Sequence, residues 1–319
     1  MIIGARTGAW AKSGSPTPPA YGGLCFTAVA VNSSVQLTAV GSAPAVTLIK
    51  SFDGVNWEDY TVGEVIELPS IGDFVYLAAG EGGNETFGSS TSNYHKFVIN
   101  GLVSASGDIT SLMRFDLVQT TLAIYCYLSM FQGCTGLTSA PELPATTLAN
   151  HCYFSMFQDC TGLTSAPELP ATTLANHCYR SMFQDCTGLT SAPELPATTL
   201  ASHCYRSMFQ GCTGLTSAPE LPATTLVLSC YQGMFSGCTG LTSAPELPAT
   251  TLVGQCYFQM FFNCKKLSII KVHFTNWGTQ TNSWVSSVSS TGTFYKPRAL
   301  PEEYGENNIP TGWTVVNID

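Results

Sequence analysis

The residues of this 319-residue chain best able to do chemistry are its thirteen cysteines, and their spacing says which chemistry is open to them. Twelve of them fall in six copies of Cys-Tyr-x-x-Met-Phe-x-x-Cys, beginning at Cys126, Cys152, Cys178, Cys204, Cys230 and Cys256. On a helix, the eight-residue step from Cys152 to Cys160 spans roughly 12 Å, whereas a disulfide needs Cα atoms within about 7 Å. Helices packed about 8–10 Å apart would not bring equivalent cysteines of neighbouring copies close enough either. The seven-residue gap is not a usual zinc spacing, and on that helix His151 points away from the cysteine stripe. The cysteines are therefore expected to be small core hydrophobes with free thiols. Cys25 stands apart and is expected inside an N-terminal β unit.

Two other columns of reactive groups follow the same repeat. Glu142, Glu168, Glu194, Glu220 and Glu246 place one carboxylate in each copy. Stacked about 5 Å apart, neighbours repel by roughly 0.8 kcal/mol even in water. Such a column could hold Ca²⁺ or a basic partner, but hydrogen bonds from backbone amides or threonine hydroxyls of the adjacent coil are the expected arrangement. His151, His177 and His203 form a shorter column, either a pH-sensitive or metal-binding stripe or, as expected here, solvated repeat residues. Arg180 and Arg206 lie beside it as two of the few cations. There is no nucleophile elbow, glycine-rich phosphate loop or His-x-x-x-His pair, and the repeated acids share one environment each. No catalytic residue, metal or cofactor is expected.

The elements that would position these groups follow from the repeat itself. Leu-Thr-Ser-Ala-Pro-Glu-Leu-Pro-Ala-Thr-Thr-Leu recurs unchanged at Leu137, Leu163, Leu189, Leu215 and Leu241, a period of 26 residues. Self-similarity at this period marks a solenoid. Leu148, Cys152, Met156 and Cys160 recur every fourth residue, with Tyr153 and Phe157 widening the stripe, and this spacing predicts a short amphipathic helix in each copy. Thr146 or Thr147 would cap it and Gly162 would end it in a left-handed conformation. The variable positions Asn150, His151, Phe154, Ser155, Gln158 and Asp159 would face water. Pro141 and Pro144 in the extended half permit only a short β bridge flanked by polyproline-like backbone. The expected fold is a β-sandwich followed by an α/β leucine-rich-repeat solenoid of 26-residue repeats with capped ends.

The chain divides accordingly. Residues 1–24 are rich in Gly, Ser and Pro and read as an N-terminal arm, with Arg6 and Trp10 as its anchoring side chains. Residues 25–108 alternate as Phe26–Val31, Val35–Ala39, Val46–Ile49, Val65–Leu68, Phe74–Ala78 and Lys96–Ile99, which suggests a small sandwich. The solenoid occupies 109–266, with a degenerate first repeat. Residues 267–319, with Trp277, Trp284 and Trp313, read as a C-terminal cap, which solenoids need to stay soluble. Only ten per cent of residues are charged and the net charge is −9, which argues against nucleic acid or an anionic membrane as partner. No apolar run nears the roughly 20 residues of a membrane span. The N-terminus shows no secretion signal.

The run Met156-Phe-Gln-Asp-Cys-Thr-Gly-Leu-Thr-Ser165, together with Ala-Pro-Glu-Leu-Pro-Ala-Thr-Thr-Leu in every full copy, resembles the BspA-like leucine-rich repeat family. The similar sequences occur in gut Bacteroidales surface proteins and in proteins of their phages. Phe52-Asp-Gly-Val-Asn-Trp57, Thr291–Tyr295 and Ile309–Trp313 share the resemblance, which covers roughly residues 24–319. It implies non-enzymatic adhesion or recognition at an exterior surface. The leading expectation is a virion appendage, a head or tail fibre or decoration, held to the virion or to neighbouring subunits by the arm. A bacterial cell-surface adhesin and a glycan-binding module are the alternatives. A host surface glycan or protein is the expected partner, and a homo-oligomer the expected state. Leucine-rich solenoids usually bind through the strand face, so the Glu142–Glu246 side is favoured over the Arg180–Arg206 side.

Overall fold

The computed structural model describes residues 23–115 and 117–318, and the arm with Arg6 and Trp10 lies outside the described residues. The chain is all-β. Nine strands come first: β1 (Leu24–Ala28), β2 (Ser33–Val40), β3 (Leu48–Ser51), β4 (Glu58–Tyr60), β5 (Val65–Leu68), β6 (Phe74–Ala79), β7 (Gly88–Ser90), β8 (Asn93–Asn100) and β9 (Val103–Ser106). They form two sheets, β9-β1-β6-β3-β4 and β5-β2-β8-β7. Apolar residues alternate toward a shared core, where Phe26 of one sheet meets Phe97 of the other edge-on at 4.9 Å. Of these strands, β4, β7 and β9 escape the sequence pattern. Glu58-Asp-Tyr60 and Gly88-Ser-Ser90 carry almost no apolar alternation, and pairing with β3 and β8 holds them.

The solenoid grows directly out of these sheets. Strand β10 (Leu137–Ser139) pairs in parallel with β9 and widens the first sheet to six strands. On the other side, the part of β8 that β7 leaves uncovered receives the first coil, where the Phe97 amide donates to the Met130 carbonyl at 2.7 Å. Each layer of the N-terminal unit thus continues into one half of the coil, and the two layers close the solenoid's first end.

The helix expected in each copy is not there. Among the described residues the only helical segments are two 3₁₀ turns, Ile109–Leu112 and Thr279–Thr281. Residues 149–160 instead form a ribbon of overlapping β-turns. Cys152, Phe154, Met156, Gln158 and Cys160 donate their amides three residues back, to Ala149, His151, Tyr153, Ser155 and Phe157. The residues between them, His151, Tyr153, Ser155, Phe157 and Asp159, donate across to Asn176, Cys178, Arg180, Met182 and Gln184 of the next coil. An α-helix spends every amide internally, whereas this ribbon spends half of them on its neighbour.

The ribbon needs a left-handed residue every fourth position, and His151, Ser155 and Asp159 have φ of 60°, 52° and 61°. Their counterparts are His177, Ser181, Asp185, His203, Ser207, Gly211, Ser229, Gly233, Gly237 and Asn263, along with Gln255 and Gln259. Gly, Asn, Asp and His tolerate this conformation best. These are the positions expected to be the wet face of a helix. The strict period of four was the signal, since a true helix stripe drifts by about 40° per four residues. Gly162 also has a different role. Its φ is not left-handed, and a Cβ there would lie 2.5 Å from the Thr135 carbonyl oxygen and 3.1 Å from that of Leu137. It lets successive coils approach.

The prolines act as expected in the middle of the array, where pairing shrinks to single bridges such as Ser165↔Ser191 and Thr173↔Thr199. Toward the end the sheet broadens. Strands β11 (Ser243–Leu247), β12 (Ile269–Val272), β13 (Thr293–Lys296) and β14 (Thr314–Asn317) pair in parallel. The last three contain no proline, so their ladders run unbroken. The segment expected as a cap is therefore further coil. Phe261 donates to Trp284 and Asn263 to Ser286, and Ser283 and Ser287 repeat the left-handed spacing. The loop around Glu306–Asn308 then covers the final turn ribbon: the Val285 amide donates to the Glu306 carbonyl and the Trp284 indole to that of Asn308.

Inside, identical side chains stack into columns. Tyr127, Tyr153, Tyr179, Tyr205, Tyr231 and Tyr257 follow one another at 5.9–6.1 Å, and Phe131 through Phe261 at 5.4–5.8 Å. Phe87 and Phe97 extend the columns into the N-terminal sheets, and Trp284 ends both. Such offset pairs add about 0.5–1.5 kcal/mol each beyond burial.

Candidate recognition surface

All thirteen cysteines are free and buried. Those at the second position of the motif also donate. The Sγ–H groups of Cys160, Cys186, Cys212, Cys238 and Cys264 each point at a phenylalanine carbonyl of the preceding coil, from Phe131 to Phe235, at 3.0 Å. Burial pushes the Cys126, Cys186 and Cys264 thiols up to about 12, so they stay protonated and unreactive.

The strand face carries the glutamates. Glu142, Glu168, Glu194 and Glu220 are exposed, and their carboxylates have no hydrogen-bond or ion-pair partner among the described residues. The hydrogen bonds expected from neighbouring amides and threonine hydroxyls are absent among the described residues. Glu246 differs. Its carboxylate meets Lys271 Nζ at 2.9 Å and His273 Nε2 at 2.5 Å, and these two hydrogen bonds hold it below its ordinary value. Lys271 sits opposite Glu246 in the β11–β12 ladder, so the acidic column ends on a cation. Sequence reading missed this pairing, although Lys271 follows Glu246 by almost one period.

The turn face carries the remaining groups. His151, His177 and His203 stand half-buried, stacked ring on ring at 4.6 Å and 12°, with Tyr125 at the head of the stack at 4.9 Å. They are a packed column and not the solvated residues expected. Burial, then the neighbouring histidines and arginines, lowers His177 to about 4, and burial lowers His151 and His203 in the same sense. Arg180 lies over the Phe154 ring at 5.2 Å, a contact worth about 0.5–1 kcal/mol at an exposed site. Burial and the adjacent Arg206 both lower Arg180. Asp159 and Asp185 lie on the far margin of the ribbon; burial and then Asp185 raise Asp159.

Among the described residues no three His, Cys, Asp or Glu side chains gather as a metal site, and no helix is long and apolar enough to cross a membrane. Two open concavities among the described residues lie away from these columns. One, of about 530 Å³, is bordered by Ile49, Gly80, Gly83, Arg114 and Phe115. The other, of about 270 Å³, lies by Val285, Ser289, Glu306 and Pro310. No family model, curated protein or solved structure matches this chain.

Proposed function

We propose that this is a non-enzymatic adhesion and recognition protein whose solenoid displays a repeated surface to a host, with the exterior of a phage virion as its site of action. The observation that carries the recognition reading is the strand face, where Glu142, Glu168, Glu194 and Glu220 stand exposed and unpartnered at one repeat position in consecutive coils. A ligand with its own period would meet the same contact several times, and weak contacts summed this way give avidity without a pocket. The virion setting rests on the resemblance of the Met-Phe-x-x-Cys-Thr-x-Leu-Thr-Ser run to the BspA-like leucine-rich repeats; a bacterial surface adhesin is the second reading. Binding of purified protein to intact host cells tests the surface. Reversing Glu168, Glu194 and Glu220 to Lys should abolish that binding while circular dichroism stays unchanged. Retained binding would remove the strand face from consideration. Virion proteomics, with and without residues 2–24, tests the setting and the arm.

A further inference from the structure

The opposite face of the coil carries a second, chemically unlike feature. From Leu137 to Cys264 the array contains two cations, Arg180 and Arg206, and they occupy the same repeat position in successive coils. Seven acids lie in the same span, yet neither guanidinium has an ion-pair partner among the described residues. Like charges placed side by side without a counter-ion disfavour the free surface and favour an anion that spans both. The guanidinium fork is the side chain best shaped to grip a carboxylate or sulfate.

The surroundings are ordered to match. Arg180 is half-buried and rests on Phe154, which limits its freedom before any ligand arrives. The position reads Phe154, Arg180, Arg206, Gln232, Phe258 along the array, so an aromatic ring lies at each end of the strip. Both rings are half-buried, leaving part of their surface to solvent. Beside the strip runs the packed stack of His151, His177 and His203, whose buried Nδ1 atoms have no hydrogen-bond partner. Asp159 and Asp185 face the other margin, where the Asp185 carboxylate accepts from Gln184 Nε2 at 3.2 Å. The strand block is copied unchanged, and this strip lies on the turn face, where the array departs from repetition.

We infer that Arg180 and Arg206, flanked by Phe154 and Phe258, form a binding strip for an acidic polysaccharide, taking its carboxylate or sulfate groups on the guanidinium pair and its apolar sugar faces on the rings. Nucleic acid is a poorer fit, because its affinity needs many phosphate contacts and two cations on a chain of net charge −9 supply few. The strip is independent of the glutamate face, so either can fail without the other.

Calorimetric titration of the full-length protein with an oligogalacturonate, a sulfated chondroitin hexasaccharide and neutral maltohexaose tests it. Binding of at least one acidic oligosaccharide, about tenfold or more tighter than the neutral one, is expected, and the two acidic probes separate carboxylate from sulfate recognition. R180Q/R206Q should lose at least tenfold, while R180K/R206K should lose less because charge remains without the fork. F154A should weaken the oligosaccharide more than inorganic sulfate, which would lose only the ordering of Arg180. R206Q alone serves if the double variant does not fold, since Arg206 has no ring contact among the described residues. Equal affinity for maltohexaose, unchanged binding by the glutamine variants, or tighter binding of polyglutamate than of either acidic sugar would each overturn the assignment.

Discussion

At the scale of single residues, the core sets two contrasting polar problems. The second-position cysteines place their thiols on carbonyls of the preceding coil, which explains why a small side chain with a donor recurs there. Cys186→Ala removes the bond to Phe157 and leaves a small void, and it should lower stability by about 1–2 kcal/mol in urea unfolding. The hydroxyls of Tyr153, Tyr179 and Tyr231 are buried without a partner among the described residues. Tyr179→Phe removes a desolvated polar group and keeps the ring stack, so the Tm should hold or rise; a fall of several degrees would show that the hydroxyl has a partner. The histidine column makes stability depend on pH. His177 is held at about 4 in the fold against about 6.5 when unfolded. Between those values the unfolded chain binds more protons, so stability is full above about pH 6.5 and falls as pH drops toward 4. His177→Gln should flatten the Tm-versus-pH curve in that window.

At the scale of the elements, the turn ribbon depends on two kinds of position that tolerate little change. Gly188→Ala would set a Cβ 2.5 Å from the Thr161 carbonyl oxygen and force two coils apart. A loss of about 1–3 kcal/mol is expected from chemical denaturation. Gly233 sits at φ 61°, and Gly233→Val should cost more than Gly233→Asn, because a branched side chain resists the left-handed region. Equal losses for Val and Asn would contradict the ribbon. The parallel ladder from β11 to β14 owes its length to the absence of proline within β12, β13 and β14, whereas the central copies keep single bridges.

At the scale of the molecule, one hydrophobic cluster runs from Leu24 to Trp313, so the N-terminal sheets and the array should unfold together. Thiol counting follows from the same closure. Native protein should resist an aromatic disulfide reagent, and the denatured chain should react at thirteen sites; a ladder of disulfides in mass spectrometry would contradict this. Because the interior copies are interchangeable, deleting Leu163–Gly188 joins Gly162 to Leu189 without changing the register of any column. That variant should fold cooperatively with a slightly lower Tm, as expected when each coil contributes its own nearest-neighbour interface.

Much of this was legible in the residues alone. The 26-residue period demands a solenoid, and the burial of Leu, Cys, Tyr, Met and Phe at their repeat positions follows from apolar patterning, since no copy can cover its own stripe. The weak pairing of the proline-bearing half follows from a missing amide. Three features needed the assembled fold. The turn ribbon replaces the helix because its alternate amides are satisfied by the next coil, a partner 25 residues away that local periodicity does not reveal. The N-terminal sheets cover the first coil because β8 and β9 leave edges at the right places, which depends on how both sheets pack. The unlike fates of the five glutamates were also decided there: Glu246 faces Lys271 and His273 across a strand ladder, while the carboxylates of four residues of the same type and local sequence are exposed without a cation beside them.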